Sequence, residues 1–334
     1  MYIYAFFRPL IDLLASVSIA VIVYAGAGFH ESGIISLGVL IAFINLISKF
    51  FDPLKDIAEK FSIMQSAMAG GERVFNFFAV DRRILNSGIS VTEEFHGKIE
   101  FRDVHFAYKK DDPVLKGLSF SVEPGETVAI VGYTGAGKTT IASLLARFWD
   151  IDRGEILIDG KDIREYPLDE LRRLVQPVQQ DVFIFSGDIK ENITLGSDIS
   201  EEKLKEAVSA AEVGEFIDQP ELTEGGTNLS VGQRQLLSFA RALAHDPKIL
   251  ILDEATAHVD TETEDLIQKA LKNLLEGRTS LVIAHRLSTI RNADRILVLD
   301  EGTVAESGNH DELMELDGIY KALYDLQFQR GIEV

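Results

Sequence analysis

Gly132-Tyr133-Thr134-Gly135-Ala136-Gly137-Lys138-Thr139-Thr140 reads as a loop that closes around phosphate. It fits the Walker A pattern G-x-x-x-x-G-K-[ST]. Before it, Glu126 to Val131 is a short β-branched run with the character of a buried strand. After it, Ile141 to Phe148 carries helical patterning. Strand, glycine loop and helix are the context the motif requires, and together they predict an α/β P-loop NTPase fold. The glycines let the backbone turn tightly and aim N–H groups at phosphate oxygens. The helix N-terminus adds partial positive charge. Lys138 is placed to reach the β- and γ-phosphates, and the Thr139 hydroxyl to ligate Mg²⁺. The alternative, a chance glycine-rich βα turn, is opposed by the flanking elements.

The chain of 334 residues is long enough for two domains with real cores. Lys and Arg number 33 against 53 Asp and Glu, a net charge of -20. That balance opposes a nucleic-acid surface, which needs basic stripes, but leaves room for a local cationic nucleotide site. The chain has no cysteine, which excludes disulfides, zinc–thiolate sites and cysteine nucleophiles. Its mean hydropathy of +0.09 is high beside 26% charged residues, so an apolar part must be segregated.

That part lies at the start. From Leu10 to Phe29, Asp12 is the only charge, and a second apolar run extends from Ile34 to Phe51. Each approaches the roughly 20 residues a helix needs to cross a bilayer. His30-Glu31-Ser32-Gly33 is a short polar turn between them, so a transmembrane helical hairpin is expected. A buried soluble hairpin is the alternative. A signal peptide fits poorly, because the first run is long, holds Asp12 and is followed by a second. Arg8, Lys49, Lys55 and Lys60 flank the outer ends, while the turn has neither Lys nor Arg. The positive-inside rule then puts both outer ends in the cytoplasm and Asp12 near the cytoplasmic end of its span. Asn45, deeper in the second span, faces a bundle interior or serves helix packing.

Residues 52–80 continue as an amphipathic helix, with Ile57, Phe61, Met64 and Met68 at helical spacing. Residues 81–97 are polar and read as a linker. The domain reading is therefore membrane hairpin and extension over 1–90 and a globular α/β domain over 98–330. In the latter, strands are expected at Ile99–Phe106, Gly154–Gly160, Lys248–Glu254 and Thr279–His285. Helices are expected at Leu168–Leu174, Glu201–Ala211, Gly232–Ala244 and Asp311–Gln327.

Phosphoryl transfer needs a metal holder and a group acting on the attacking water. The apolar run ending in Asp253-Glu254 offers both beside a phosphate loop, with Asp253 toward Mg²⁺ and Glu254 toward water. A solvated acidic loop is the bland alternative. The domain resembles the nucleotide-binding domain of the ATP-binding cassette family. Leu229-Ser230-Val231-Gly232-Gln233-Arg234-Gln235 is similar to the family signature LSGGQ, which other phosphate-loop ATPases lack.

The resemblance implies that Ser230, Gly232 and Gln233 contact nucleotide bound to a partner domain, so that two ATP molecules are sandwiched in a head-to-tail dimer. It implies that Tyr108 stacks on adenine and that Gln180 senses Mg²⁺ and the attacking water. It places Asp260 in the loop crossing the dimer interface and makes His285 the switch histidine holding the γ-phosphate. Plain structural roles are the alternatives: an N-cap for Ser230, a strand-end aromatic for Tyr108 and a structural histidine for His285. Spans placed ahead of the nucleotide-binding domain, and the segment Phe185–Ile193, resemble the exporter branch.

Such an exporter uses ATP and Mg²⁺, sits in the cytoplasmic membrane with its ATPase domain inside, and pairs with a second half-transporter as homodimer or heterodimer. It moves a lipid, drug or peptide-like substrate. Three departures stand out: Val231 replaces the usual glycine, the stretch before the signature is short, and two spans stand where exporters have six. The chain reads as the last two spans plus a complete ATPase domain. A soluble ATPase of the same family and a non-transporting regulatory subunit are the rival readings.

Overall fold

The computed structural model describes residues 2–79, 84, 86, 88, 95–179, 182–214, 221–253, 261–284 and 287–328. Contacts divide the chain into two units, Met1–Arg83 and Ile84–Val334.

The first unit is a pair of helices, α1 (Tyr2–Glu31) and α2 (Leu37–Ala79). Gly33 ends α1 with a left-handed φ of 74°. The N–H groups of Gly33 and Ile34 bond back to the His30 and Phe29 carbonyls, each at 2.9 Å, which satisfies the helix end. A Cβ at Gly26 would collide with the Leu40 side chain, so this glycine permits close approach of the helices. Asp12, the charge inside the first apolar run, is paired with Lys55 at 2.7 Å. Leu13, Val21, Ile41 and Leu46 point outward and are exposed. Both helices are long and apolar enough to cross a membrane. At 43 residues, α2 is about 65 Å long, roughly twice a bilayer's hydrocarbon core. The second apolar run and its amphipathic continuation are one helix.

The second unit begins with strands β1 (Ile99–Lys109) and β2 (Asp112–Val122), followed by β3 (Thr127–Gly132) and α3 (Lys138–Leu145). Then come β4 (Arg153–Ile158), β5 (Lys161–Asp162), α4 (Leu168–Leu174), β6 (Val175–Val178), α5 (Ile189–Thr194), α6 (Glu201–Ala210) and α7 (Val231–His245). The chain closes with β7 (Ile249–Asp253), α8 (Thr261–Leu275), β8 (Thr279–Ile283), α9 (Leu287–Asn292), β9 (Arg295–Asp300), β10 (Thr303–Gly308), α10 (His310–Glu315) and α11 (Ile319–Phe328).

Among the described residues these strands form two sheets. One is antiparallel, in the order β2-β1-β4-β5. The other runs β10-β9-β3-β8-β7-β6 and is parallel except for β10. Strands buried on both faces need apolar side chains at every position. In β3, Val128 and Ile130 join a core with Phe101, Leu115, Ile156 and α3. Ala129 and Val131 face the opposite core, built from α5 to α8 and α11. Ile249 and Ile251 of β7 divide from Leu250 and Leu252 in the same way.

The C-terminal segment differs from its expected single helix. Asp317 adopts a φ of 54°, and Gly318 lies against the Glu306 side chain. The Glu306 carboxylate accepts from the Ile319 and Tyr320 N–H groups, so it starts α11 afresh. Asn309 and Glu312 cap α10 reciprocally. Periodicity carries through such a break because both helices present apolar residues to the same core.

Asp159 anchors the start of this unit. Its carboxylate accepts from the backbone N–H groups of His96, Gly97 and Lys98 at 2.8 to 3.0 Å. Asp159→Ala leaves these donors without their acceptor, at about 1 to 3 kcal/mol. The expected outcome is a fall of roughly 2 to 10 °C in the unfolding midpoint of the second unit. Calorimetry of the detergent-solubilised chain checks this, and an unchanged midpoint would show that solvent replaces the carboxylate.

Candidate functional site

The phosphate loop emerges where β3 stops. Gly132 has a φ of 154°, and a Cβ there would strike the Leu299 carbonyl of neighbouring β9. Gly137, at φ 103°, is the N-cap of α3, and a Cβ on it would lie 2.8 Å from Leu115. These two glycines pin the loop between β9 and β2. Gly135, at φ 87°, has open space where a Cβ would sit. Tyr133, Thr134, Gly135 and Thr139 are exposed, whereas Ala136, Gly137 and Thr140 are buried. The loop therefore has one face fixed in the core and one face open.

Lys138 lies across the loop's mouth. Its Nζ donates to the Gly132 carbonyl at 2.6 Å and to the Tyr133 carbonyl at 3.0 Å. Burial pushes its pKa down, and the attraction of Asp253 opposes that shift. Asp253 ends β7, half-buried, beside Ile283 of β8, which pairs in turn with Ile130 of β3. Two strand spacings thus separate Asp253 from β3, about 10 Å.

Val178, Asp253 and Ile283 end β6, β7 and β8 on the edge that holds the phosphate loop. Ligands in open α/β sheets bind at that edge. Gln180, Glu254, Asp260 and His285 lie outside the described residues, each within two residues of a described strand or helix end.

Tyr108 lies in β1 with its ring partly exposed. Its hydroxyl donates to Thr140 Oγ1 at 3.3 Å, which ties it to the helix of the phosphate loop. Sequence reasoning missed Trp149, whose ring meets Tyr108 at 5.3 Å and 88°. The only signal was that it is the sole tryptophan in the chain.

Ser230 is the N-cap of α7. Its Oγ accepts from the Gln233 N–H at 3.1 Å, and Gln233 Oε1 accepts from the Ser230 N–H at 2.9 Å. The N-cap role is thus real, and it leaves Ser230 on the surface beside buried Gly232. Val231 is exposed, so its extra carbons displace nothing in the core. Arg234 Nη1 donates to the Leu229 carbonyl at 2.9 Å and fixes the turn into the helix.

The structure reveals further supports the sequence reading missed. Arg241 of α7 donates to the Asn192 and Phe183 carbonyls at 3.0 and 3.2 Å. Buried Asn192 staples the Phe185 N–H and carbonyl, both at 2.9 Å. Leu222, ahead of the signature, exchanges two backbone bonds with Gly187. The signature helix and the exporter-like segment 185–193 are therefore one hydrogen-bonded assembly. An arginine on a helical apolar face was the available clue.

Residues 115–257 match the family profile described as ABC transporter. The chain is 48% identical over 312 residues to the "Probable multidrug resistance ABC transporter ATP-binding/permease protein YheH" of Bacillus subtilis (strain 168), covering 91% of this chain and 46% of that protein. It is 42% identical over 333 residues to the "ATP-dependent lipid A-core flippase" of Hahella chejuensis (strain KCTC 2396), covering 97% of this chain and 57% of that protein. Among solved structures it resembles "Structure of a bacterial Atm1-family ABC exporter with ATP bound", with a TM-score of 0.70 and 34% identity over 96% of this chain and 57% of that one. The chain spans about half the length of the curated relatives it matches. With a phosphate loop, an acidic strand end and a capped signature helix on one α/β scaffold, residues 115–257 form a domain of the ABC transporter family, and the chain resembles exporters of that family over nearly its whole length.

Proposed function

We propose that this chain binds and hydrolyses ATP with Mg²⁺, and that it is the C-terminal part of an exporter half-transporter. The observation that carries the reading is Lys138, held across the mouth of an outward-facing glycine loop and within the field of Asp253. The open face at Gly135 fits a triphosphate, because nothing occupies the space that a side chain would fill. An ammonium that, among the described residues, bonds to its own loop carbonyls exchanges them for phosphate oxygens at little structural expense.

Thr139, Asp253 and Gln180 are the residues we assign to Mg²⁺, which supplies charge neutralisation between the phosphates when bound. Glu254 is assigned to the attacking water and His285 to the γ-phosphate. Tyr108 is assigned to adenine. Gly132, Thr134, Gly135, Ala136, Gly137 and Thr140 form or support the phosphate cradle. Ser230, Gly232, Gln233 and Asp260 are assigned to the nucleotide of a second half, homodimeric or heterodimeric.

Residues 1–90 are proposed as the end of a transmembrane domain and residues 98–330 as the ATPase domain, on the cytoplasmic side of the membrane. The outward apolar surfaces of α1 and α2 support contact with lipid. A lipid, drug or peptide-like substrate fits this exporter reading, and the relatives named for multidrug resistance and for lipid A-core support the drug and lipid alternatives.

Three outcomes are expected. Lys138→Ala abolishes hydrolysis and sharply weakens ATP binding, since the phosphates lose their main cationic partner. Unchanged affinity by titration calorimetry would remove the phosphate-loop assignment. The chain partitions into membranes or detergent, because two exposed apolar helices cannot be solvated in water; recovery as a soluble monomer would make them a buried hairpin instead. Glu254→Gln retains nucleotide binding and loses about 10² to 10⁴ in turnover, as a carboxamide is a poor base. That variant accumulates an ATP-bound dimer in light scattering, and adding Ser230→Arg disperses it. Turnover at the parent rate in Glu254→Gln would refute the base assignment.

A further inference from the structure

We propose that Trp149 is a positioning residue for the nucleobase: it holds the Tyr108 ring in the pose that receives a purine. This rests on the nucleotide reading above. Tyr108 lies near the end of β1 and is 43% exposed, so its ring is only partly confined by the core. Three neighbours hold it. Buried Phe106 meets it edge-on at 4.9 Å and 85°. Trp149 meets it at 5.3 Å and 88°. Thr140 accepts its hydroxyl at 3.3 Å. Neither aromatic lies parallel to the tyrosine, so neither uses it as a stacking surface.

The turn that carries Trp149, itself 39% exposed, is held in place. Arg147, 3% exposed and at φ 49°, turns the chain after α3, and its Nε meets Asp150 Oδ1 at 2.9 Å. Arg172 Nη2 donates to the Arg147 carbonyl at 3.3 Å. The Asp152 carboxylate accepts from the Ala107 N–H at 2.8 Å, and the Asp152 N–H donates to the His105 carbonyl at 3.1 Å. The turn carrying Trp149 is thereby fastened to β1 at the residue next to Tyr108. Phe106 and Thr140 limit the ring from the core side, and Trp149 limits it from the turn. A ring already ordered before binding loses less rotamer freedom when a base arrives. Bases stack on any aromatic face, so the gain is in affinity for nucleotides with large π-surfaces.

The test measures dissociation constants for Mg-free ATP and for inorganic tripolyphosphate, using the full chain in detergent. The proteins compared are the parent, Trp149→Ala and Trp149→Phe. Tripolyphosphate engages the phosphate loop but has no base. Loss of one edge-on aromatic contact predicts roughly a three- to tenfold weaker affinity for ATP in Trp149→Ala. Tripolyphosphate affinity stays unchanged, and Trp149→Phe restores most of the ATP affinity. Equal weakening of both ligands, or unchanged ATP affinity, overturns the proposal while leaving the nucleotide reading intact. A parent that binds neither ligand overturns both.

Should Trp149→Ala fail to fold, the parent's emission decides, because Trp149 is the only tryptophan. ATP is expected to change that emission and tripolyphosphate to leave it nearly unaltered. An equal response to the two would refute the proposal.

Discussion

Gly132 cannot carry a side chain, because the Leu299 carbonyl occupies the space beside it. Much of the site depends on that close contact. It forces the chain out of β3 as β9 runs alongside and starts the loop at the sheet's carboxyl edge. Gly137 closes the loop against Leu115 of the first sheet. Between these two points the backbone is held from behind and open in front. Lys138 then falls across the mouth rather than into solvent. A phosphate-binding loop needs this combination, since donors that had to be ordered at the moment of binding would lose affinity to entropy.

The signature helix depends on the same scaffold from the other side. Leu236, Leu237 and Phe239 of α7 join the core that also takes Ala129 and Val131 of β3. The capped end at Ser230 is thus attached to the strand that carries the phosphate loop. Arg241 and Asn192 extend the attachment to the segment after β6 through buried or half-buried hydrogen bonds. Burial lowers the Arg241 pKa, the physical expression of a guanidinium spent on carbonyls rather than on water. A shift at one of these elements is felt at the others, because their polar groups are partly shielded from solvent and bonded to one another.

The strands that carry chemistry were readable because they are parallel and buried on both faces. Such strands are short, apolar and bounded by turn residues, as at Thr127–Gly132, Ile249–Asp253 and Thr279–Ile283. The helices at 168–174 and 201–210 were readable from their periodicity and acidic first turns. The antiparallel edge was not. β10 reads Thr-Val-Ala-Glu-Ser-Gly with alternating partial burial, a pattern that polar loops share. The tail has the periodicity of one helix because the Glu306 carboxylate that splits it comes from the preceding strand β10.

The sequence by itself determined the phosphate loop, the acidic strand end, the capped signature and the two apolar runs. Each is a local pattern whose chemistry follows from residue type and spacing. Tertiary structure alone decided which further residues support them: Arg241 on the Asn192 carbonyl, and Trp149 against Tyr108. Those pairings join residues far apart in the chain, and no periodicity records them. They are set by which strands lie side by side and by the need of every buried donor to find an acceptor.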